Sequence, residues 1–192
     1  MTIREKTDFI VGTVKGLSDK YGIRYLLEAV SIVKSESKIP IKLRIAGKGP
    51  QEQEYKELAK RLGIDDITTW LGFISQEQAA VEWANMDVAV IPSTLDSESF
   101  GVSAVEAQAC GTPLIISDIP GLKEATNPGE TSIVAKRQNA HSIAESIIML
   151  YKNQCKRDML RKNSIANVKK YEIDNCFSYI ENLFGNYRQR YK

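Results

Sequence analysis

Met86-Asp87-Val88-Ala89-Val90-Ile91-Pro92-Ser93-Thr94-Leu95-Asp96-Ser97-Glu98-Ser99-Phe100-Gly101-Val102-Ser103-Ala104-Val105-Glu106-Ala107-Gln108-Ala109-Cys110-Gly111-Thr112-Pro113 divides into a strand, a loop and a helix. The apolar, partly β-branched run up to Ile91 is closed by Pro92, as expected for a buried strand ending in a polar loop. From Phe100 to Cys110 the residues are small, apolar and helix-compatible, and Gly111 followed by Pro113 stops the segment. Ser99 is the expected N-cap. The N–H groups of Phe100, Gly101 and Val102 then form an open helix start, where unpaired donors and the helix dipole favour an anion. Gly101 lets a ligand come close to the backbone. Glu106 shares a helix face with small apolar residues and is expected to be partly buried, where a carboxylate needs hydrogen-bond donors. Glu98, separated from it by seven residues, lies in the loop just ahead of the helix. Hydroxyl groups of sugars would serve both glutamates, so the stretch suits a ligand with phosphate in the middle and a polyol at each end.

Working outward, strand-like runs near 8–14, 41–46, 67–71, 87–91, 114–117 and 131–135 alternate with helical patterns near 22–36, 51–63, 76–84 and 101–110. Helical signals dominate from about 140 onward. This order predicts one α/β domain over 1–192, a single Rossmann-like, doubly wound parallel sheet with helices on both faces and extra C-terminal helices. Ligands of such sheets bind at the carboxyl ends of the strands, where Gly12, Gly47, Gly72 and Glu98 are expected to fall.

Composition narrows the function classes. A hydrophobic fraction of 43% in 192 residues supports one substantial core, and 26% charged residues argues against disorder. No run approaches the ~20 apolar residues that span a bilayer, and the first ten residues lack a signal-peptide core, so a soluble, cytoplasmic protein is expected. Cys110, Cys155 and Cys176 have no metal-ligand spacing and are expected to be reduced packing residues. His141 is the single histidine, at the start of a predicted helix, which weakens a Ser-His-Asp hydrolase reading, and no metal site is expected. Residues 151–192 carry ten Lys or Arg against four Asp or Glu, a net +6 that leaves −4 for the rest. Solvated helix faces are the simpler reading of that excess; attraction to an anionic membrane surface is the functional one. So modest a total charge, +2, with no recognition motif gives no support to nucleic-acid binding.

Glu98-Ser99-Phe100-Gly101 followed by Glu106-Ala107-Gln108-Ala109-Cys110-Gly111-Thr112-Pro113 resembles the Glu-x7-Glu motif of the retaining glycosyltransferases of family 4, or group 1. Ala46-Gly47-Lys48-Gly49-Pro50 and Trp70-Leu71-Gly72-Phe73-Ile74-Ser75 are similar to two further family landmarks, the second lining the base pocket. The resemblance implies that Glu98 contacts the transferred sugar, Glu106 the ribose hydroxyls, and the Ser99, Phe100, Gly101 and Val102 segment the sugar or phosphate. Gly12, Thr13, Gly47, Gly72 and Phe73 complete the implied donor site. The family pattern also has an arginine after the first strand glycine and a lysine directly before a helix glycine, both on the donor diphosphate. Thr13 stands where that arginine would be, and Tyr21 displaces Lys20 from Gly22, so Lys20 is the candidate diphosphate cation and Lys15 the reserve. Glu98 and Lys20 are the catalytic candidates.

Members of that family have the GT-B architecture of two facing Rossmann-like domains, and this chain matches the C-terminal, donor-binding one. The expectation is therefore an excised or truncated half, with residues 173–190 resembling the terminal helix that packs back on the absent N-terminal acceptor domain. The implied reaction moves a sugar from a nucleoside diphosphate sugar to a hydroxyl with retention, in polysaccharide or glycolipid synthesis. The donor is a substrate and no cofactor is implied; peripheral contact with the inner membrane face is implied where acceptors are lipid-linked. The isolated domain is expected to bind donor with little or no transfer. A nucleotide-sugar epimerase of the same fold and a non-catalytic nucleotide-binding module are the rivals. A dinucleotide-dependent oxidoreductase would need Gly-x-Gly-x-x-Gly at the first turn, which neither Gly12-Thr13-Val14 nor Gly47-Lys48-Gly49-Pro50 supplies.

Overall fold

The computed structural model describes residues 8–98, 100–172 and 175–176. Strands β1 (Phe9–Val14), β2 (Ile41–Ala46), β3 (Thr68–Gly72), β4 (Val88–Ile91), β5 (Leu114–Ser117) and β6 (Ser132–Ala135) form one sheet, and every pairing is parallel. Between and after them run α1 (Ile23–Glu36), α2 (Glu52–Arg61), α3 (Gln76–Asn85), α4 (Val102–Ala109), α5 (Pro120–Ala125), α6 (Ala140–Lys152) and α7 (Gln154–Val168).

Strand alternation builds a core on each side. Phe9 and Val11, Ile41, Leu43 and Ile45, Val88 and Val90, and Ile115 point to one face, where Leu26, Leu27, Val30, Tyr55, Leu58, Ile143, Ile147 and Leu150 of α1, α2 and α6 cover them. Their neighbours Ile10, Ala89, Ile91, Leu114 and Ile116 point to the other, beneath Trp83, Ala104, Ala107 and Leu122 of α3, α4 and α5. Each fully buried aliphatic side chain here contributes about 1.5–3 kcal/mol. Arg44 on β2 also clamps Glu82 on α3 with two hydrogen bonds of 2.7 and 2.8 Å. That bidentate contact holds the guanidinium pKa above its usual value.

The strand order is β3-β2-β1-β4-β5-β6. The chain lays β1 to β3 outward in one direction, then returns and starts again on the other side of β1. β1 and β4, paired at Val11↔Val88 and Gly12↔Ala89, are therefore spatial neighbours whose following loops diverge. A crevice opens at that switch point.

Three local expectations change. α5 forms where no helix was predicted: Pro120 occupies its first turn, a position that needs no N–H, so this proline starts a helix instead of breaking one. Gly12 does not lie at the carboxyl end of β1, where it was expected. It sits inside the strand, where the Arg44 carbonyl and Met86 side chain fill the space a Cβ would take, and the strand runs on to Val14. Of the three cysteines, Cys110 packs against the second core, whereas Cys155 and Cys176 are exposed. The predicted terminal helix over 173–190 lies outside the described residues except for Asn175 and Cys176. His141 is exposed on α6, whose cap is Asn139, with Oδ1 accepting from Ser142 N–H at 2.8 Å. No helix among the described residues is long and apolar enough to cross a membrane.

Candidate functional site

Two loops meet over the β1/β4 crevice. The first, after β1, runs from Lys15 to Gly22; the second, after β4, runs from Pro92 to Gly101. They are stitched together by Thr94, whose N–H donates to the Lys20 carbonyl at 2.8 Å and whose hydroxyl lies 3.2 Å from the carbonyls of both Asp19 and Lys20. Gly22 makes that approach feasible. Its φ is +65°, and a Cβ there would lie 2.0 Å from the Pro92 carbonyl oxygen. The β1 loop is also tied to β2, with Lys15 N–H on the Ala46 carbonyl at 2.9 Å and Leu17 N–H on Lys48 at 3.0 Å. Gly47 N–H donates to the Gly72 carbonyl at 2.7 Å, joining the β2 and β3 ends to the same rim.

Glu98 is the charged centre of the crevice. Its carboxylate accepts from Lys15 Nζ at 2.8 Å and from Ser93 Oγ at 3.0 Å. The Lys15 and Glu98 side chains are only 7% and 12% exposed, so the pair is held in a medium where losing one partner is costly. Around it lies a cavity of about 290 Å³, lined by Lys15, Lys20, Tyr21, Leu95, Ser97, Glu98, Phe100, Gly101 and Val102. A wider cavity of about 560 Å³ adjoins it and shares Lys15 and Tyr21. Its other walls are Gly16, Gly47, Lys48, Phe73, Ser75, Ser103 and Glu106, among others. Together they form one groove along the carboxyl rim.

The start of α4 differs from the sequence expectation. Gly101, at φ +70°, is the N-cap and α4 begins at Val102, so the expected cap at Ser99 is corrected by two positions; Ser99 itself lies outside the described residues. The reason is local. A left-handed residue cannot continue a right-handed helix, and a Cβ at Gly101 would meet Leu122 at 2.5 Å. Ala104 and Val105 N–H both turn back to the Gly101 carbonyl. The open N–H groups of the first turn are then those of Val102 and Ser103, directed at the groove end of the helix instead of those of Phe100 and Gly101. At the far end, Gly111 at φ +69° closes α4 as expected, with Gly111 N–H on Gln108 and Thr112 N–H on Ala107, both at 2.9 Å.

The groove brings together Lys15, Lys20, Gly47, Phe73, Glu98, Phe100, Gly101, Val102 and Glu106. Gly72 adjoins them at φ +66°, its carbonyl held by Gly47. Gly12 and Thr13 are not brought there. Both are buried inside β1 and line neither cavity; the Thr13 hydroxyl has no hydrogen-bond partner among the described residues. The rim positions expected of them belong to Lys15 and Gly16, because Gly12 and Thr13 lie within β1, which runs to Val14. Sequence reasoning missed Ser103 and Lys48 as groove residues, and missed Ser93 as the buried partner of Glu98; small polar residues beside Pro92 and at the start of α4 were the available signal for the two serines. Cys110, one turn after Glu106, packs against the second core and lines neither cavity. Burial pushes its thiol pKa up, and the nearby Glu106 carboxylate adds to the shift.

A doubly wound parallel sheet with helices on both faces, and with two lysines and a helix start at its switch point, is an α/β domain of the Rossmann-like class. The sequence profile of the glycosyl transferases group 1 matches residues 2–167, and the chain belongs to that family. A glycosyltransferase of Methanocaldococcus jannaschii is 30% identical over 181 residues, 94% of this chain and 45% of that protein. A D-inositol 3-phosphate glycosyltransferase of Pseudarthrobacter chlorophenolicus is 32% identical over 148 residues, 75% of this chain and 35% of that protein. The chain thus spans less than half the length of these relatives. Among solved structures, the Anabaena protein Alr3699/HepE in complex with UDP-glucose superposes with a TM-score of 0.78 at 23% identity, covering 85% of this chain and 44% of that one. Sucrose-phosphate synthase from Thermosynechococcus elongatus gives 0.79 at 28% identity, covering 96% of this chain and 46% of that one.

Proposed function

We propose that this domain is the donor-binding half of a retaining, family 4 glycosyltransferase that transfers a sugar from a nucleoside diphosphate sugar to a hydroxyl acceptor. The observation that carries the reading is the groove itself, with cations and a helix start between two carboxylates. Its dimensions, about 290 and 560 Å³ for the joined cavities, suit a ligand with a polyol at each end. The relative that binds UDP-glucose with the same fold supports it.

In this reading Lys15, Lys20 and the Val102 and Ser103 amides hold the diphosphate. They neutralise the charge that grows on it as the bond to the sugar breaks, without having to reorganise at that moment. Glu98 orients the donor sugar through its hydroxyls, and its contacts with Lys15 and Ser93 fix where the carboxylate stands. Glu106, with Ser103 beside it in the wider cavity, accepts the ribose hydroxyls. Phe73, 77% exposed at the far wall, and the backbone of Gly72 take the base. The acceptor comes from a second domain facing the groove, a partner supported by the chain's 45% coverage of its relative. Synthesis of a polysaccharide or glycolipid in the cytoplasm, peripheral to the inner membrane face for a lipid-linked acceptor, fits the basic excess after residue 150.

Calorimetric titration of the chain with UDP, GDP and ADP tests the reading. Saturable binding of one of them, strengthened by its sugar conjugate, is the expected result and identifies the base. Absence of heat with all three and with their sugar conjugates would overturn it.

A further inference from the structure

The two lysines at the centre of the groove share one aromatic ring. Lys15 Nζ lies 4.8 Å and Lys20 Nζ 4.7 Å from the ring centroid of Tyr21, both within cation–π range. Tyr21 is half-buried, and it is the residue that, with Lys15, lines both cavities. The loop is built around the ring. A Cβ on Gly16 would lie 2.9 Å from its Cε2, so glycine at 16 leaves room for the Tyr21 ring beside the β1 loop. Tyr21 N–H, bonded to the Ser18 carbonyl at 2.9 Å, fixes the backbone beneath it.

Two ammonium groups drawn to one ring repel each other, and Glu98, bound to Lys15, offsets that repulsion. Lys20 is exposed, with no carboxylate partner among the described residues. A long, strongly hydrated side chain of this kind would otherwise sample solvent. We infer that Tyr21 is a positioning residue, holding Lys15 and Lys20 on its ring so that both ammonium groups are in place for the phosphates of a nucleoside diphosphate. The inference rests on the donor-binding reading and extends it to a residue that touches the phosphates only through the lysines. It also gives Tyr21 a purpose at the position where it separates Lys20 from Gly22. The ring supplies the order that direct adjacency to the helix glycine would otherwise provide.

The test combines a ligand-free readout with a binding one on the 192-residue chain. In proton NMR, the ε-methylene resonances of Lys15 and Lys20 are expected upfield in the wild type and in Tyr21→Phe, and at ordinary positions in Tyr21→Leu. In UDP titrations, Tyr21→Leu is expected to raise Kd about threefold to thirtyfold, the span of a partly to fully desolvated cation–π contact. Tyr21→Phe, which keeps the ring, is expected to rescue most of that loss. In a Lys20→Met background the Tyr21→Leu penalty should shrink by about half or more, because one of the two cations it positions is already gone. Thermal midpoints recorded alongside separate a folding defect from a binding one. Ordinary lysine resonances in the wild type would overturn the placement whether or not UDP binds. Upfield resonances with equal UDP affinity in wild type and Tyr21→Leu would overturn the positioning role while leaving the donor-binding reading intact. A chain that binds no nucleoside diphosphate or its sugar conjugate would overturn that reading and this inference together.

Discussion

The two ends of the groove are built on different physical terms. At the β1/β4 end, Glu98 is 12% exposed, bonded to Lys15 and Ser93 and enclosed by two loops stitched through Thr94. At the β3 end, Phe73 is 77% exposed and Glu106 is half-buried, with open space before them. The contrast shows where this domain has committed its order in advance. Charge chemistry needs groups already in position, because reorganising a buried ion pair during reaction is costly; a flat ring can be gripped by an exposed aromatic and adjust as it binds.

Breaking the charged end should have the largest effect. Lys15→Met removes one member of a pair whose side chains are about nine-tenths buried and leaves Glu98 uncompensated, so unfolding in urea should show a loss of about 3 kcal/mol. A loss below about 0.5 kcal/mol would mean that water already reaches the pair. Glu106→Ala acts at the other end, on binding instead of folding. Nucleotide affinity should fall about tenfold, roughly 1.4 kcal/mol, with the denaturation midpoint little changed.

Between the ends, the β1 loop rests on Tyr55, whose hydroxyl lies 3.4 Å from Asp19 Oδ1. Burial, and then the Asp19 carboxylate, push the Tyr55 phenol well above its usual pKa. The folded state therefore keeps its proton above pH 10 where the unfolded chain, titrating near its ordinary value of about 10, loses it. The sign is destabilising as pH rises through 10, by about 1.4 kcal/mol at pH 11, and full stability is retained below about pH 9. Tyr55→Phe should flatten this decline in thermal melts between pH 9 and 11. The smallest effect is expected at the open end, where Phe73→Ala should change folding stability by less than about 0.5 kcal/mol. Any loss it causes should appear in nucleotide affinity alone.

Much of this was legible in the sequence, for reasons that can be assigned residue by residue. All six strands were predicted within a residue or two, because the apolar runs at Ile41–Ala46 and Leu114–Ser117 carry their periodicity locally. The helix after Glu98 was legible for the same reason, and its Gly111 stop follows from the turn that a left-handed residue makes. Its start was not. Ser99 and Gly101 both can cap, and the choice is made by Leu122, 21 positions on, which leaves room only for hydrogen at Gly101. Gly12 misled too: it was expected at the rim, and it lies inside β1 against the Arg44 carbonyl and the Met86 side chain. The Lys15–Glu98 pair joins residues 83 apart, and no local pattern encodes it. What sequence offered there was Lys20 as the first candidate and Lys15 as the reserve; packing put Lys15 against Glu98 and both lysines against Tyr21.

The most direct test of the central claim, that the groove at the β1/β4 switch point is the donor site, is to follow backbone amide resonances while the chain is titrated with the nucleoside diphosphate that binds. Saturable shifts confined to Lys15, Lys20, Tyr21, Val102, Ser103 and the neighbourhood of Glu106 are the expected result. Shifts centred elsewhere on the domain, or none along the rim, would contradict it.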